Sequence, residues 1–258
     1  MIQNLSEREK SIIDLLCENS DASVSRLSEI LHVSPVTIRN DLNNLSDKGF
    51  IIRTRGGAFP AFHPDIMERQ RKQTSEKSRI AKVAADMIQD GDTVMIEAGT
   101  TTAMICRYLY GKRDIRIVTN STLILPMGRT NPSLRLTLVG GEFRPSTESV
   151  VGPLALEELK RFHVSTAFVG TDGFSTDGGL TTHLVEGAEI VKMMAAQADR
   201  SVLVADSTKY GRRGFVQVLP LDAMDRIITD SGIPGEELEK LREKGVSVTL
   251  ADSEQKRS

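Results

Sequence analysis

The chain has 258 residues, with 33 Lys and Arg against 35 Asp and Glu, a formal net charge of −2, 39% hydrophobic residues and no Trp. This length and apolar content give room for one large domain or for a small and a medium one with real cores, the latter being expected, and nothing in the near-neutral balance suggests bulk binding to acidic surfaces. Cys17 and Cys106 lack ligand-like spacing and read as small buried hydrophobes, and the scattered His32, His63, His163 and His183 give no metal signature.

From the N-terminus, Leu5 to Cys17 places Ile12, Ile13, Leu15 and Leu16 at helical spacing, and Ser23 opens a shorter amphipathic segment that runs to Leu31. After His32 and Val33 a third helix begins. Ser34 is a good N-cap, and Pro35 sits at the first helical position, where a missing N–H costs nothing. Ile38, Leu42 and Leu45 then form a buried stripe, which leaves Val36, Thr37, Arg39, Asn40 and Asn43 on the outer side. A hydroxyl, a guanidinium and two amides are groups that read base edges and phosphates. The order of helix, short helix, tight turn and capped helix is that of a helix-turn-helix, whose second helix enters the major groove by its N-terminal residues. Ser34, Pro35, Val36, Thr37, Arg39, Asn40 and Asn43 are therefore the candidate base-reading set.

From Lys48 to Ala58 a Gly stops the helix, and a Gly-Gly turn predicts a two-stranded wing that carries Arg53, Arg55 and Gly56 towards the DNA backbone. The alternative is a three-helix core with a merely solvated face. Charge does not choose between them, because residues 1–60 hold seven Lys and Arg against eight Asp and Glu. Any electrostatic footprint must come from placement.

Residues 59–76 read as a solvated linker: Pro60 and Pro64 break regular structure, and Glu68-Arg69-Gln70-Arg71-Lys72 is strongly charged. An amphipathic helix is expected over Ile80 to Ile88. Beyond it, seven apolar runs alternate with helical segments, at 92–96, 115–119, 136–139, 164–169, 201–205, 226–229 and 247–250. That alternation predicts an open, mostly parallel sheet with helices on both faces, and ligands bind beyond the carboxyl ends of such strands.

The residues at those ends are small, polar and rich in Gly. The candidates are Glu97, Gly99, Thr100, Thr101 and Thr102 after the first run, Asn120 and Ser121 after the second, and Gly140, Gly141 and Arg144 after the third. Asp172 and Gly173 follow the fourth, and Lys209 the fifth. With Arg144 and Lys209 as cations, the set describes a pocket for a small, hydroxyl-rich anion such as a phosphorylated sugar. The rival reading is a sugar-phosphate isomerase or transferase that draws on Glu97, Asp172, Glu186, Glu189 or Lys209. A fused reading helix and wing favour a regulator, because an enzyme has no need of them. No catalytic, metal or cofactor set is assigned.

Arg8, Ile12 and Leu16, followed by Ser34-Pro35-Val36-Thr37-Ile38-Arg39-Asn40-Asp41-Leu42 and Arg55-Gly56-Gly57-Ala58, resemble in order and spacing the signature of DeoR-type bacterial transcriptional regulators. The resemblance continues through Gly99-Thr100-Thr101-Thr102, Thr119-Asn120-Ser121, Gly140-Gly141-Glu142-Phe143-Arg144, Gly170-Thr171-Asp172-Gly173, Gly178-Gly179-Leu180-Thr181-Thr182 and Asp206-Ser207-Thr208-Lys209. Glu97, where Asp is more usual, and Gly187-Ala188-Glu189-Ile190-Val191-Lys192 depart from the family pattern. The resemblance implies an α/β protein: a winged helix-turn-helix over 1–58, a linker over 59–76, and a sensor domain of the ribose-phosphate isomerase and CoA-transferase type over 77–258. It implies a repressor of carbohydrate genes that binds double-stranded operator DNA as a homo-oligomer, dimer or tetramer, and is relieved by a sugar phosphate. With no leader and no run of about eighteen apolar residues, the expected location is the cytoplasm and no membrane partner is expected.

Overall fold

The structure, a computed structural model, describes residues 5–19 and 22–251. It divides into two compact units, with the changeover at Thr74 and Ser75.

The first unit contains α1 (Glu7–Glu18), α2 (Val24–Leu31), α3 (Pro35–Asp47), β1 (Ile51–Arg53), β2 (Ala58–Pro60) and α4 (Pro64–Arg71). Its helix ends are chemically specified. Ser6 and Glu9 form a reciprocal capping box at the start of α1, Ser23 caps α2, and the Ser34 hydroxyl accepts the Thr37 N–H at the start of α3 with Pro35 in the first turn. At the far end of α3 the Phe50 N–H reaches Leu45 O at 2.9 Å and the Gly49 N–H reaches Ser46 O at 2.9 Å. Gly49 turns at φ +76°, which completes a Schellman stop. Ile12, Ile13, Leu16, Leu27, Ile38, Leu42 and Leu45 are all fully buried in one cluster.

The stretch read as a linker over 59–76 is regular structure instead. Phe59 and Pro60 complete β2, α4 follows, and α5 (Thr74–Asp86) begins before residue 76. Pro64 starts a helix here, as Pro35 does, and the His63 ring accepts the Asp65 N–H at 3.3 Å. Ile66 and Met67 are buried, Met67 in the same core as α1 to α3. Two apolar residues inside a charged run are enough to dock the helix.

The second unit runs from α5 through β3 (Thr93–Ile96), α6 (Thr100–Met104), β4 (Ile115–Thr119), α7 (Leu125–Thr130), β5 (Leu134–Leu138), β6 (Glu142–Arg144), β7 (Ser149–Val151) and α8 (Pro153–Leu159). It continues with β8 (Thr166–Val169), β9 (Gly173–Ser175), β10 (Gly179–Thr182), α9 (Val185–Ala196), β11 (Ser201–Val204), β12 (Val216–Gln217), β13 (Arg226–Thr229), α10 (Gly235–Glu243) and β14 (Ser247–Leu250). Seven strands form one sheet in the order β14-β13-β11-β8-β3-β4-β5, every pair parallel. These are the seven runs expected from the sequence, shifted by one or two residues at some ends.

Met95, Ala167, Val169, Leu203 and Ile227 pack in a cluster with Leu159 of α8, Ile190 and Met194 of α9, and Leu238 and Leu241 of α10. The intervening Val94, Ile96, Ile117, Phe168, Val202, Val204 and Ile228 are equally buried, so both faces of the sheet are covered. The chain lays down β3, β4 and β5 towards one edge, then returns to the other side of β3 with β8 and proceeds outward through β11, β13 and β14. Strand order reverses between β3 and β8. Two further antiparallel sheets, β6-β7 and β12-β10-β9, arise in segments that the sequence showed only as Gly-rich strand ends.

Candidate nucleic-acid interface and ligand site

On α3, Val36, Arg39, Asn40 and Asn43 are exposed, and Thr37 is half-buried with its hydroxyl 2.9 Å from that of Ser34. Ser34 and Pro35 are exposed as well, but Ser34 is already committed to the cap. The outward set foreseen from the spacing is therefore assembled. Sequence reasoning missed Asp41, which is buried on the same helix and accepts the Arg8 guanidinium at two points, Nε at 2.6 Å and Nη2 at 3.0 Å. Arg8 and Asp41 both stood in the family signature, but nothing in the spacing showed that they meet.

The wing is present as an antiparallel hairpin pairing Ile51 with Pro60, Ile52 with Phe59 and Arg53 with Ala58. Side chains alternate across its faces, so Arg53 shares the inward face with Ile51 and Ala58. It is half-buried, and its Nη1 is buried with no partner among the described residues. Arg53, expected to be carried towards the DNA backbone, thus has part of its guanidinium turned inward, because a strand residue one step from the outward position faces in. Ile52 and Phe59 occupy the outer face, and Arg55 and Gly56 are exposed at the tip. The tip is tied to the start of α2 by the Val24 N–H on Gly56 O at 3.1 Å. Gly57 lies so close that a Cβ there would sit 2.7 Å from Ala22 O.

In the second unit, the candidate ligand residues follow β3, β4, β5, β8 and β11, five neighbours in the sheet. Glu97 stands at the reversal. Its N–H bonds Phe168 O at 3.0 Å, and its Oε2 accepts the Gly170 N–H at 3.1 Å, which joins the ends of β3 and β8. A Cβ on Gly170 would lie 3.3 Å from Glu97 Oε2 and 3.9 Å from Thr102 Cγ2, and one on Gly99 would lie 2.9 Å from Thr102 Oγ1. Glu97, Gly99, Thr102 and Gly170 thus converge at one point.

Several candidates are committed to the scaffold. Thr102, fully buried, donates to Gly99 O at 3.0 Å. Asn120 accepts the Ala98 N–H at 2.9 Å and donates to Val150 O at 3.2 Å, so its amide braces loops rather than facing solvent. The Gly140 N–H is taken by Glu158 at 2.6 Å. Asp172 accepts Thr182 Oγ1 at 2.9 Å and the His183 N–H at 3.1 Å, and Gly173 packs so tightly on the Arg212 carbonyl that no side chain fits there. Arg144 is paired with Glu186 at 2.8 Å, and Glu186 sits below the usual carboxylate range through its own backbone N–H and the arginine. Ser121 is fully buried, with a hydroxyl that has no partner among the described residues. Thr100 and Gly141 are partly or fully exposed, Thr101 is buried, and Lys209 lies half-buried on a short 3-10 turn after β11. Among the described residues no group of three or more His, Cys, Asp or Glu is placed to hold a metal, and no helix is long and apolar enough to cross a membrane.

An exposed polar reading helix with an arginine-tipped wing, carried on a chain with an α/β unit, defines a DNA-binding transcriptional regulator. Residues 8–60 match the DeoR-like helix-turn-helix domain and residues 72–231 the DeoR C-terminal sensor domain, and the chain belongs to the DeoR family of transcriptional regulators. It is 34% identical over 248 residues to the HTH-type transcriptional regulator GlpR of Haloferax volcanii, with 94% of this chain and 96% of the relative covered. The HTH-type transcriptional repressor CsqR of Escherichia coli K12 is 30% identical, with 94% of each chain covered. The glycerol-3-phosphate regulon repressor of the same strain is 29% identical, with 95% and 98% covered. Among solved structures, ribose 5-phosphate isomerase A of Methanocaldococcus jannaschii aligns at TM-score 0.40 and 17% identity over 54% of this chain, which spans 55% of that isomerase.

Proposed function

We propose that this protein represses a carbohydrate-use operon as a homo-oligomer, and that a phosphorylated sugar bound at the strand-end crevice releases it from DNA. The observation that carries the reading is the convergence of Glu97, Gly99, Thr102 and Gly170 at the reversal between β3 and β8, the place where open α/β sheets take ligands. The small and hydroxyl-bearing residues gathered there suit a compact polar ligand. A relative named for a glycerol-3-phosphate regulon supports the ligand class. The reading is of a sensor rather than an enzyme. Glu97 and Asp172, the carboxylates best placed to move a proton, are engaged by backbone N–H groups and hold loops. A single short helix reads too few base pairs for useful specificity, so at least two copies must bind.

The test starts from a duplex that the full chain selects out of a random-sequence pool. Sugar phosphates, but not the free sugars, are expected to raise the melting temperature of the protein and to dissociate that duplex in a gel shift. Release without any ligand change supports the sensor. Isomerisation of the added sugar phosphate, followed by NMR and abolished by Glu97→Gln, would establish the enzyme instead.

A further inference from the structure

We infer that Arg8 and Asp41 are positioning residues for DNA recognition: their ion pair fixes the rotation of α3 about its own axis, and so decides which of its side chains meet a base edge. The inference rests on α3 being the reading helix.

The inner side of α3 is held by Ile38, Leu42 and Leu45. Apolar packing of this kind tolerates repacking and loses uniqueness before it loses stability. Rotation matters here, because at a side-chain radius of about 5–6 Å a 20° turn moves each tip by about 2 Å, more than a hydrogen bond to a base allows. A directional contact is needed, and the first turn of α1 supplies one at the middle of α3 and one at its C-cap. Arg8 grips Asp41 at two points, at 2.6 and 3.0 Å, and the next residue, Glu9, accepts Lys48 at 2.8 Å. Asp41 and Lys48 lie two turns apart and therefore on one side of the helix.

The position of Asp41 strengthens the case. A nearly buried carboxylate on a helix that must approach phosphates is unfavourable twice over, by burial and by repulsion. Its two-point partner gives it a use that does not involve touching DNA.

The experiment uses the full chain and the duplex that wild type selects from a random pool, together with single-base-pair variants of that duplex, over a series of salt concentrations. In the apolar replacement R8M/D41L, removing both charges together leaves no unpaired ion, and folding is expected to stay cooperative. Discrimination between the selected duplex and its variants is expected to fall roughly tenfold, with an unchanged dependence on salt. Arg8→Lys keeps the charge but not the two-point grip, and is expected to lose part of the discrimination with the fold intact; it carries the test if the double variant does not fold. Wild-type discrimination in either folded variant would overturn the inference. A salt dependence weakened by about one phosphate contact would also overturn it, because Arg8 would then be touching DNA. Failure of wild type to select any sequence would remove the reading helix itself, a different result from a selected duplex read equally well by every variant.

Discussion

Glu9 uses one carboxylate twice, accepting the Ser6 N–H at 2.7 Å on Oε2 and the Lys48 ammonium at 2.8 Å on Oε1. Burial pushes its pKa up, but Lys48 and the Ser6 N–H and hydroxyl more than reverse this, and the group lies below the ordinary 4.5. A lowered folded-state value stabilises fully above pH 4.5, and the contribution disappears as pH falls through that lower value. Glu9→Gln keeps an acceptor for Ser6 but no charge for Lys48. Thermal melts should show the variant below wild type at pH 7, with the gap closing under pH 4.5; a gap constant down to pH 3 would remove the ionic contribution. Gly57 makes a steric prediction of the same kind. Its Cβ would meet Ala22 O at 2.7 Å, and backbone on both sides has nowhere to go. Gly57→Ala should cost about 1–3 kcal/mol in urea unfolding and weaken DNA binding through the displaced wing. Side-chain destinations of this sort were legible only in part. Ser34 and Pro35 announce themselves by local chemistry, whereas the inward turn of Arg53 follows from a one-residue phase on a strand that no composition reveals.

At the scale of elements, α3 and its cap are open to a direct test. Ser34→Ala should remove about 1 kcal/mol through loss of the Thr37 N–H acceptor. Because the first turn, which carries Val36 and Thr37, then frays, affinity for the selected duplex should fall alongside stability in the same titrations; stability lost with affinity intact would place the reading residues further along the helix. Arg39→Ala is expected to relax base preference, whereas Arg55→Ala at the wing tip should weaken all duplexes alike and flatten the salt dependence. The parallel strands were readable because strands buried on both faces are continuous apolar runs. Their order in the sheet was not, since it is set by crossovers. α4 shows the limit of treating proline as a breaker: Ser34-Pro35 and His63-Pro64 have the same form, a capping acceptor before a first-turn proline, and both begin helices. β9 and β10 escaped notice because Gly173, Gly178 and Gly179 dilute any period-two signal, although the close approach of the Arg212 carbonyl to Gly173 and of the Leu219 carbonyl to Gly179 is what requires glycine at those two positions.

For the whole molecule, the proposed coupling must be reciprocal: a sugar phosphate that lowers affinity for DNA by some factor has its own affinity lowered by DNA by that factor. Calorimetric titration of the sugar phosphate with and without the selected duplex should show a difference of roughly 5- to 150-fold, and equal affinities would separate the two sites. That Glu97, Gly99 and Thr102 lie together was legible, because strand ends collect small polar residues. The loop-bracing bonds of Thr102, Asn120, Gly140 and Asp172 were not legible, because a polar residue that braces a loop and one that awaits a ligand look alike in one dimension. The reversal of strand order also imposes a timetable on synthesis. The core cluster of the reading unit is complete once Met67 has been added, whereas Glu97 waits for Phe168 and Gly170 on the far side of β3 before its crevice has a second wall. A growing chain thus has every residue of its helix-turn-helix core in hand about a hundred residues before its strand-end crevice can gain its second wall.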